Sequence, residues 1–376
     1  EIRFCDWSSD VCSSDLLGGA IAAGRAPVSL GNSELTWEKS SMLDIGLELG
    51  LLKDRIFITA DYYRKKTDDM LYQIDIPAAS GFSNIQSNIG TIRFWGVELA
   101  INSKNLVGEF KWNSDFNISF NRNKVIKLGT NNVPIGGILE QTYFWRTAVR
   151  EPLGNFWGYV QDGVYMNQAD FDNSPKHPVY SAVGTVKYRD LNGDGVISPA
   201  DRQVIGSPTP KFVFGFANNF SYKNFDLSIM MSGAVGGDII DNQREWLETL
   251  EGIFNVSKYL KDRWRSPENP GAGIIGRSLT GTTAFPRYVN SRWVEDGSFL
   301  TVKNITLGYQ VPLPRNIKFI ERIRVYAGVQ QALIFTRYRG ANPEVSINGL
   351  NGLTEGVDNS AYPVPRTYTF GANFNF

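Results

Sequence analysis

The chain has almost no cysteine and only one histidine among its 376 residues. Both cysteines, Cys5 and Cys12, lie in the opening stretch EIRFCDWSSDVCSSDL, which resembles a translated sequencing adapter. We therefore treat residues 1–16 as an artefact and base the fold on residues 17–376. Without these cysteines no disulfide or redox site is expected. His177 alone cannot assemble a Ser-His-Asp triad or a histidine-based zinc site, so we expect no enzyme.

Long apolar runs are also absent. No stretch of 18 or more apolar residues occurs, whereas a membrane-spanning helix needs about 20, which excludes a helical membrane protein. The 38 basic and 38 acidic residues balance, so no global field favours nucleic acid or an acidic partner. Aromatic residues, by contrast, make up 13% of the chain. This composition fits a transmembrane β-barrel, in which polar lumen residues dilute the average hydropathy.

Large apolar residues alternate with polar ones throughout the chain. From Glu109 to Phe120 the apolar set is Phe110, Trp112, Phe116, Ile118 and Phe120. Since side chains of a strand point alternately to its two faces, each segment has one apolar and one polar face. The alternation recurs in eight further segments: 42–50, 56–63, 95–101, 212–216, 225–231, 299–309, 324–335 and 366–376. Segments of about ten residues with this period predict an antiparallel transmembrane barrel, here with about nine strands.

The connections between these segments alternate in length. Short connections are expected at 51–55, 104–108, 222–224 and 312–320, and long ones at 65–89, 121–210, 236–296 and 336–363. Transmembrane barrels have short periplasmic turns and long extracellular loops, so nine strands would bring Phe376 to the periplasmic side. The strand-like segment 155–165 would break this parity as a tenth span. We therefore place it inside a long extracellular loop.

Several motifs, in order along the chain, resemble one family. They are Leu35-Thr-Trp-Glu-Lys39, Gly90-Thr-Ile-Arg-Phe-Trp-Gly-Val-Glu98, Tyr188-Arg-Asp-Leu-Asn-Gly-Asp-Gly-Val196, Gly206-Ser-Pro-Thr-Pro210 with Phe214-Gly-Phe216, Phe220-Ser-Tyr-Lys-Asn-Phe-Asp-Leu227, and Phe299-Leu-Thr-Val-Lys-Asn-Ile-Thr-Leu-Gly308. With them, residues 31–376 resemble the C-terminal part of a SusC/RagA-type TonB-linked outer-membrane transporter.

The resemblance implies an all-β fold: the C-terminal portion of a plugged barrel of about 22 strands. The plug, the TonB-contacting segment and roughly thirteen earlier strands would lie outside this chain, which alone is not expected to transport. The parent would reside in a Gram-negative outer membrane with its C-terminus periplasmic. It would import oligosaccharide or peptide together with a SusD-like lipoprotein lid, driven by the TonB–ExbB–ExbD system through its N-terminal part.

One loop has the spacing of a calcium site. Residues 190–201 place oxygen donors at positions 1, 3, 5, 9 and 12, with a glycine at position 6 and a backbone carbonyl at position 7. The predicted ligands are Asp190, Asn192, Asp194, Val196, Ser198 and Asp201. The alternative is an empty loop held by Asx turns. If calcium binds, its role would be to stiffen the loop.

Tryptophans in or beside the long loops are candidates for contact with substrate or lid. They are Trp145, Trp157, Trp246, Trp264 and Trp293. Such residues could stack on sugar rings, or they could pack local cores or mark the lipid interface. Two other functional classes also stay open: a passive porin or adhesin barrel, and a soluble calcium-binding carbohydrate module.

Overall fold

The structure is a computed structural model. It describes residues 30–75, 80–82, 84–129, 131–139, 142–248, 255–278, 288–314, 319–345 and 353–376, and four short strand segments before residue 30. The predicted artefact, residues 1–16, lies mostly outside the described residues, so that interpretation stays a prediction.

Strands account for most of the regular structure. They are β1 (Ile2–Phe4), β2 (Leu16–Leu17), β3 (Ala20–Ile21), β4 (Arg25–Pro27), β5 (Lys39–Leu51), β6 (Ile56–Asp75), β7 (Asn84–Val107), β8 (Phe110–Leu128), β9 (Ile135–Leu139), β10 (Thr142–Thr147), β11 (Asn155–Tyr159), β12 (Gln161–Val164), β13 (Val186–Tyr188), β14 (Arg202–Gly206), β15 (Phe212–Tyr222), β16 (Phe225–Val235), β17 (Asp238–Asp241), β18 (Val294–Asp296), β19 (Phe299–Val311), β20 (Arg322–Thr336), β21 (Val357–Asp358) and β22 (Thr367–Asn375). The described residues also form two short helices, α1 (Gln168–Asn173) and α2 (Gln243–Leu247), and 3₁₀ turns at Pro199–Asp201, Lys258–Asp262 and Ser291–Trp293. Among the described residues, no helix is long and apolar enough to cross a membrane.

Nine strands form one antiparallel sheet in the order β5-β6-β7-β8-β15-β16-β19-β20-β22. Each strand therefore pairs with its neighbours along the chain, as in an up-and-down barrel wall. All nine alternating segments predicted from the sequence lie in these strands, one in each. The segment at 155–165 forms β11 and β12, which belong to other sheets. The nine predicted strands are confirmed, and so is the placement of 155–165 outside the nine-stranded sheet.

The register keeps the two faces of the sheet consistent across strands. Leu47, Ala60, Leu99, Ile118 and Phe214 lie in one cross-strand row. The next row carries Glu48, Thr59, Ala100, Asn117 and Gly215. We call these the apolar face and the polar face. Large side chains on the apolar face are exposed, for example Leu47 at 62% and Phe370 at 80%. This exposure is expected of the lipid-facing residues of a barrel.

Gly96, on the polar face, explains why the motif Gly90–Glu98 has a glycine at this position. The Tyr63 hydroxyl donates to Asn121 Oδ1 at 2.8 Å, and its ring crosses Gly96 on the strand between them. A Cβ at Gly96 would lie 2.6 Å from the Tyr63 ring and 2.7 Å from the Phe120 carbonyl oxygen. Only glycine leaves room for this packing.

The two ends of the sheet differ. The connections at one end, the turn end, are 52–55, 108–109, 223–224 and 312–321. Those at the other end, the loop end, are 76–83, 129–211, 236–298 and 337–366. Asn375 pairs with Arg322, so the chain finishes at the turn end, as the parity argument requires.

One predicted loop is wrong. Residues 65–89 are mostly strand, because β6 continues to Asp75 and β7 begins at Asn84, paired as one long hairpin. The apolar alternation stops near Arg64 because the hairpin leaves the apolar belt there. Backbone pairing continues without it, since ladder hydrogen bonds do not require apolar side chains.

A polar cluster interrupts the apolar face near the turn end. Asn218 Oδ1 accepts hydrogen bonds from Ser114 Oγ at 2.8 Å and from Trp112 Nε1 at 2.9 Å. Asn105 Nδ2 donates to Ser114 Oγ at 2.7 Å. In a hydrocarbon environment such groups must satisfy one another, because water does not compete there.

We predict that Asn218→Ala destabilises the protein in lipid vesicles by about 2 kcal/mol, because two donors lose their acceptor. Urea-induced unfolding followed by tryptophan fluorescence measures it. Asn219→Ala is the matched control, since Asn219 is exposed on the polar face. Equal effects of the two substitutions would contradict the assignment of the faces.

Candidate functional site

The described residues of the three longest connections, 129–211, 236–298 and 337–366, fold together at the loop end; we call them the cap. Their shared core contains Phe144, Trp145, Phe156, Ile240, Val289, Trp293 and Val357, all at most 3% exposed. All three connections contribute to this set. Strand β17 joins two of them, since it pairs with β18 and also with β21. Burial of this apolar surface makes the cap one packed unit.

An ion cluster lies beside this core. Arg244, on α2, is bonded through Nε to Asp241 Oδ2 at 3.2 Å and through Nη2 to Glu295 Oε1. Arg339 Nη2 lies 2.8 Å from the same Glu295 oxygen. The Arg244 and Glu295 side chains are each only 7% exposed. Because Arg339 belongs to connection 337–366 and the others to 236–298, the cluster ties these two connections together.

The electrostatics of the cluster make Arg244 its essential member. Burial raises the pKa of Asp241 and of Glu295, and the Arg244 charge opposes this only in part. Nearby, the Tyr338 hydroxyl donates to Asp358 Oδ2 at 2.6 Å, and burial together with this bond raises the pKa of Tyr338. Removing Arg244 would leave two buried carboxylates without their shared partner.

A small cavity of about 150 Å³ lies where the cap joins the sheet. Its lining includes Pro208, Ile239, Phe299 and Pro343 with the carboxylate of Asp238. Ser207 N donates to Asp238 Oδ2 at 2.9 Å, and burial raises the pKa of Asp238. A cavity of this size holds a group about as large as one benzene ring, so it cannot enclose an oligosaccharide or a peptide.

The first half of the predicted calcium loop is closed by hydrogen bonds to its own backbone. Asp190 accepts from Gly193 N at 2.7 Å and from Gly195 N at 2.8 Å, and these bonds, with the Gly195 bond the larger contribution, hold the pKa of Asp190 below its usual value. Asn192 accepts from Asp194 N and Asp194 from Val196 N. Gly195 has φ +80°, so the sharp turn expected at position 6 is present.

Side chains in the second half of the loop form hydrogen bonds within the loop itself. Ser198 caps the 3₁₀ turn, and Asp201, fully buried, accepts from Leu191 N at 2.9 Å and Ser198 N at 2.8 Å. Within the described ranges, no group of three or more acidic, histidine or cysteine side chains is placed to hold a metal ion. Calcium binding therefore stays a prediction.

The structure separates the five predicted contact tryptophans. Trp145, Trp264 and Trp293 are 1%, 7% and 3% exposed and pack inside the cap. The Trp145 indole donates to the Glu355 carbonyl at 2.7 Å and that of Trp264 to the Met166 carbonyl at 3.0 Å. In this arrangement these three stabilise the cap and offer no free ring face, because connections this long fold their own core. Trp157 and Trp246 are only partly buried. The guanidinium carbon of Arg146 lies 3.9 Å from the centre of the Trp157 ring.

The ion cluster is the feature that sequence reasoning missed. Asp241 and Arg244, three residues apart, give the only local signal. Glu295 and Arg339 lie far along the chain, and nothing in the sequence indicates that they meet.

Comparisons with known proteins identify the family. Residues 13–330 match the family model described as TonB dependent receptor-like, beta-barrel. TonB-dependent receptor P3 of Formosa agariphila is 34% identical over 373 residues, covering 96% of this chain and 36% of that protein. TonB-dependent receptor SusC of Bacteroides thetaiotaomicron is 28% identical over 360 residues, covering 92% of this chain and 32% of that protein.

The same fold occurs in a solved structure described as the RagAB peptide transporter, with a TM-score of 0.78 and 22% identity over 100% of this chain and 38% of that one. The chain thus spans about a third of the length of these relatives, from 32% to 38%. The resemblance drawn from the motifs is confirmed, and the chain belongs to the TonB-dependent receptor family, as part of its outer-membrane β-barrel.

Proposed function

We propose that the chain is the C-terminal barrel portion of a TonB-dependent importer that takes up oligosaccharide or peptide across the outer membrane. The observation that supports this most directly is the combination of an apolar-faced barrel wall with a folded cap at its loop end. A passive porin or adhesin, or a soluble carbohydrate module, fits the family less well, because the relatives are TonB-dependent receptors.

In this proposal the loop end is extracellular and the C-terminus is periplasmic. A SusD-like lipoprotein would close over the cap, and TonB–ExbB–ExbD would act through the part of the parent that precedes this chain. Trp157 and Trp246 remain the candidates for stacking on substrate, since these two residues are only partly buried. No nucleic acid partner is proposed.

The cap's contribution depends on its connections holding together. We predict that Arg244→Met lowers uptake of the parent's substrate severalfold, because breaking a buried ion pair on one side destabilises by about 3 kcal/mol or more. Uptake of labelled oligosaccharide and peptide pools by cells measures the effect, with receptor abundance in the outer membrane measured alongside.

Arg189→Met is the matched control, since Arg189 pairs with Asp162 at 3.6 Å with both side chains more than half exposed. Such an exposed pair contributes about 0–1 kcal/mol. Normal uptake by Arg244→Met at normal abundance would contradict the role of the cap, and uptake independent of TonB would contradict the importer.

We also propose that the loop at 190–201 binds calcium weakly through Asp190, Asn192, Asp194, Ser198, Asp201 and the Val196 carbonyl. Support comes from the oxygen-only donor set and from the turn at Gly195. Asp201 is fully buried and accepts hydrogen bonds from two backbone amides. A bound calcium ion would therefore have a structural role in the cap.

Calcium titration of the purified receptor by calorimetry tests this proposal. We expect Asp194→Asn to weaken binding by on the order of tenfold, since affinity depends on the number of charged ligands. Asp162→Asn, an exposed carboxylate in the same connection, should leave it unchanged. No calcium-dependent heat in the unmodified receptor would rule the site out.

A further inference from the structure

A cluster of basic residues lies on the apolar face at its loop-end margin. Tyr62, Val97 and Phe120 form the last apolar row on β6, β7 and β8. The next row toward the loop end is Arg64, Trp95 and Arg122, and the row after it is Lys66, Arg93 and Lys124. We call Arg64, Lys66, Arg93, Arg122 and Lys124 the basic patch.

The side on which these residues point follows from the register. Residues two apart share a face, so the basic patch continues the face that carries Ile58, Leu99 and Ile118. The opposite face at this height is covered by the cap, since Ile92 and Val125 are at most 1% exposed and Val125 N donates to the Glu151 carbonyl. The patch therefore lies on the outside of the wall.

The height of the patch places it at a lipid headgroup layer. Phe110 and Phe120 on β8 are ten residue steps apart, which at about 3.3 Å each and a tilt of about 40° rise roughly 25 Å, the height of a barrel's apolar band. Arg122 and Lys124 come directly above this band. Trp95, between Arg64 and Arg122, is the residue type expected at that interface.

The charges within the patch are not balanced by the protein. Lys66, Arg93 and Lys124 lie directly opposite one another, and like charges in that arrangement repel. The one carboxylate paired with the patch in the described residues is Asp68, 2.9 Å from Lys66 Nζ. Arg93 Nε is buried without a hydrogen-bond partner. Such a group of cations is stabilised by an anion held against it.

The charge is also restricted to one end of the wall. Between Tyr62, Val97 and Phe120 and the turn end, the apolar face of β6, β7 and β8 carries no charged residue; its polar members there are Ser103, Asn105 and Ser114. An anion that binds the patch must therefore be at the loop-end surface of the membrane alone.

We propose that the basic patch binds the phosphate groups of the glycolipid that forms the outer leaflet, with Arg64, Arg93 and Lys124 as the principal contacts. The proposal rests on the orientation given under the proposed function, with the loop end extracellular. Its effect is to anchor the β6–β7–β8 wall at a fixed depth, next to the long hairpin and the cap.

Native mass spectrometry of the full-length receptor titrated with bisphosphorylated lipid A tests this. Each basic residue near an anionic surface changes partitioning about fivefold, so Arg64→Gln, Arg93→Gln and Lys124→Gln combined should raise the half-saturating lipid concentration by on the order of tenfold to hundredfold. The matched control combines Lys65→Gln and Lys111→Gln, which lie on the polar face of β6 and β8. Retained heat-modifiability on gels shows that each variant is folded.

The outcomes separate the alternatives. The unmodified receptor should bind dephosphorylated lipid A as weakly as the triple variant binds lipid A. Free inorganic phosphate should not displace the lipid. Equal binding by the triple variant and the unmodified receptor, or displacement by phosphate alone, would overturn the proposal. An epitope inserted after Asn131 reports the orientation of the loop end through antibody binding to intact cells. If the antibody does not bind, both the patch assignment and the importer proposal are wrong. If it binds but the cells take up no substrate, only the importer proposal is wrong.

Discussion

Backbone groups between adjacent strands of the nine-stranded sheet pair with one another along the strands, and this constraint determines the rest of the structure. In hydrocarbon no water replaces a missing partner, so pairing has to continue across the whole wall. Pairing in register then forces residues two apart onto one face. A single slip would move Leu47 and Ile118 to the polar side, which the lipid environment disfavours. The alternation and the ladder therefore stabilise each other.

The cap obeys a different rule. Its strands are short and belong to small separate sheets, and it is held by a shared apolar core and by Arg244 between Asp241 and Glu295. Buried ion pairs contribute little net stability, but they fix which groups meet. This suits an element whose connections are attached to different strands of the wall and meet in one arrangement.

The wall could be predicted from the sequence and the cap could not. Period-two alternation is a local signal, so all nine strands and the separate placement of 155–165 were accessible. The extent of β6 and β7 was not, because beyond Arg64 pairing continues without apolar alternation. Contacts in the cap join residues far apart in sequence, such as Glu295 with Arg339 and Trp145 with Glu355. Three of the five loop tryptophans are buried in the cap for the same reason. The calcium-type turn at Gly195 was visible from the sequence because its hydrogen bonds are local.

A site-directed spin-label scan of β8 in lipid vesicles tests most directly whether the nine-stranded sheet is a membrane wall. Single cysteines would replace residues 112–118 in turn, in a background without Cys5 and Cys12, and collision rates with oxygen and with a water-soluble quencher would be compared. We expect a period of two, with labels at Trp112, Phe116 and Ile118 accessible to oxygen and labels at Asn113, Asp115 and Asn117 accessible to the aqueous quencher. Uniform aqueous access at all positions would contradict the account, because the apolar face would then not contact lipid.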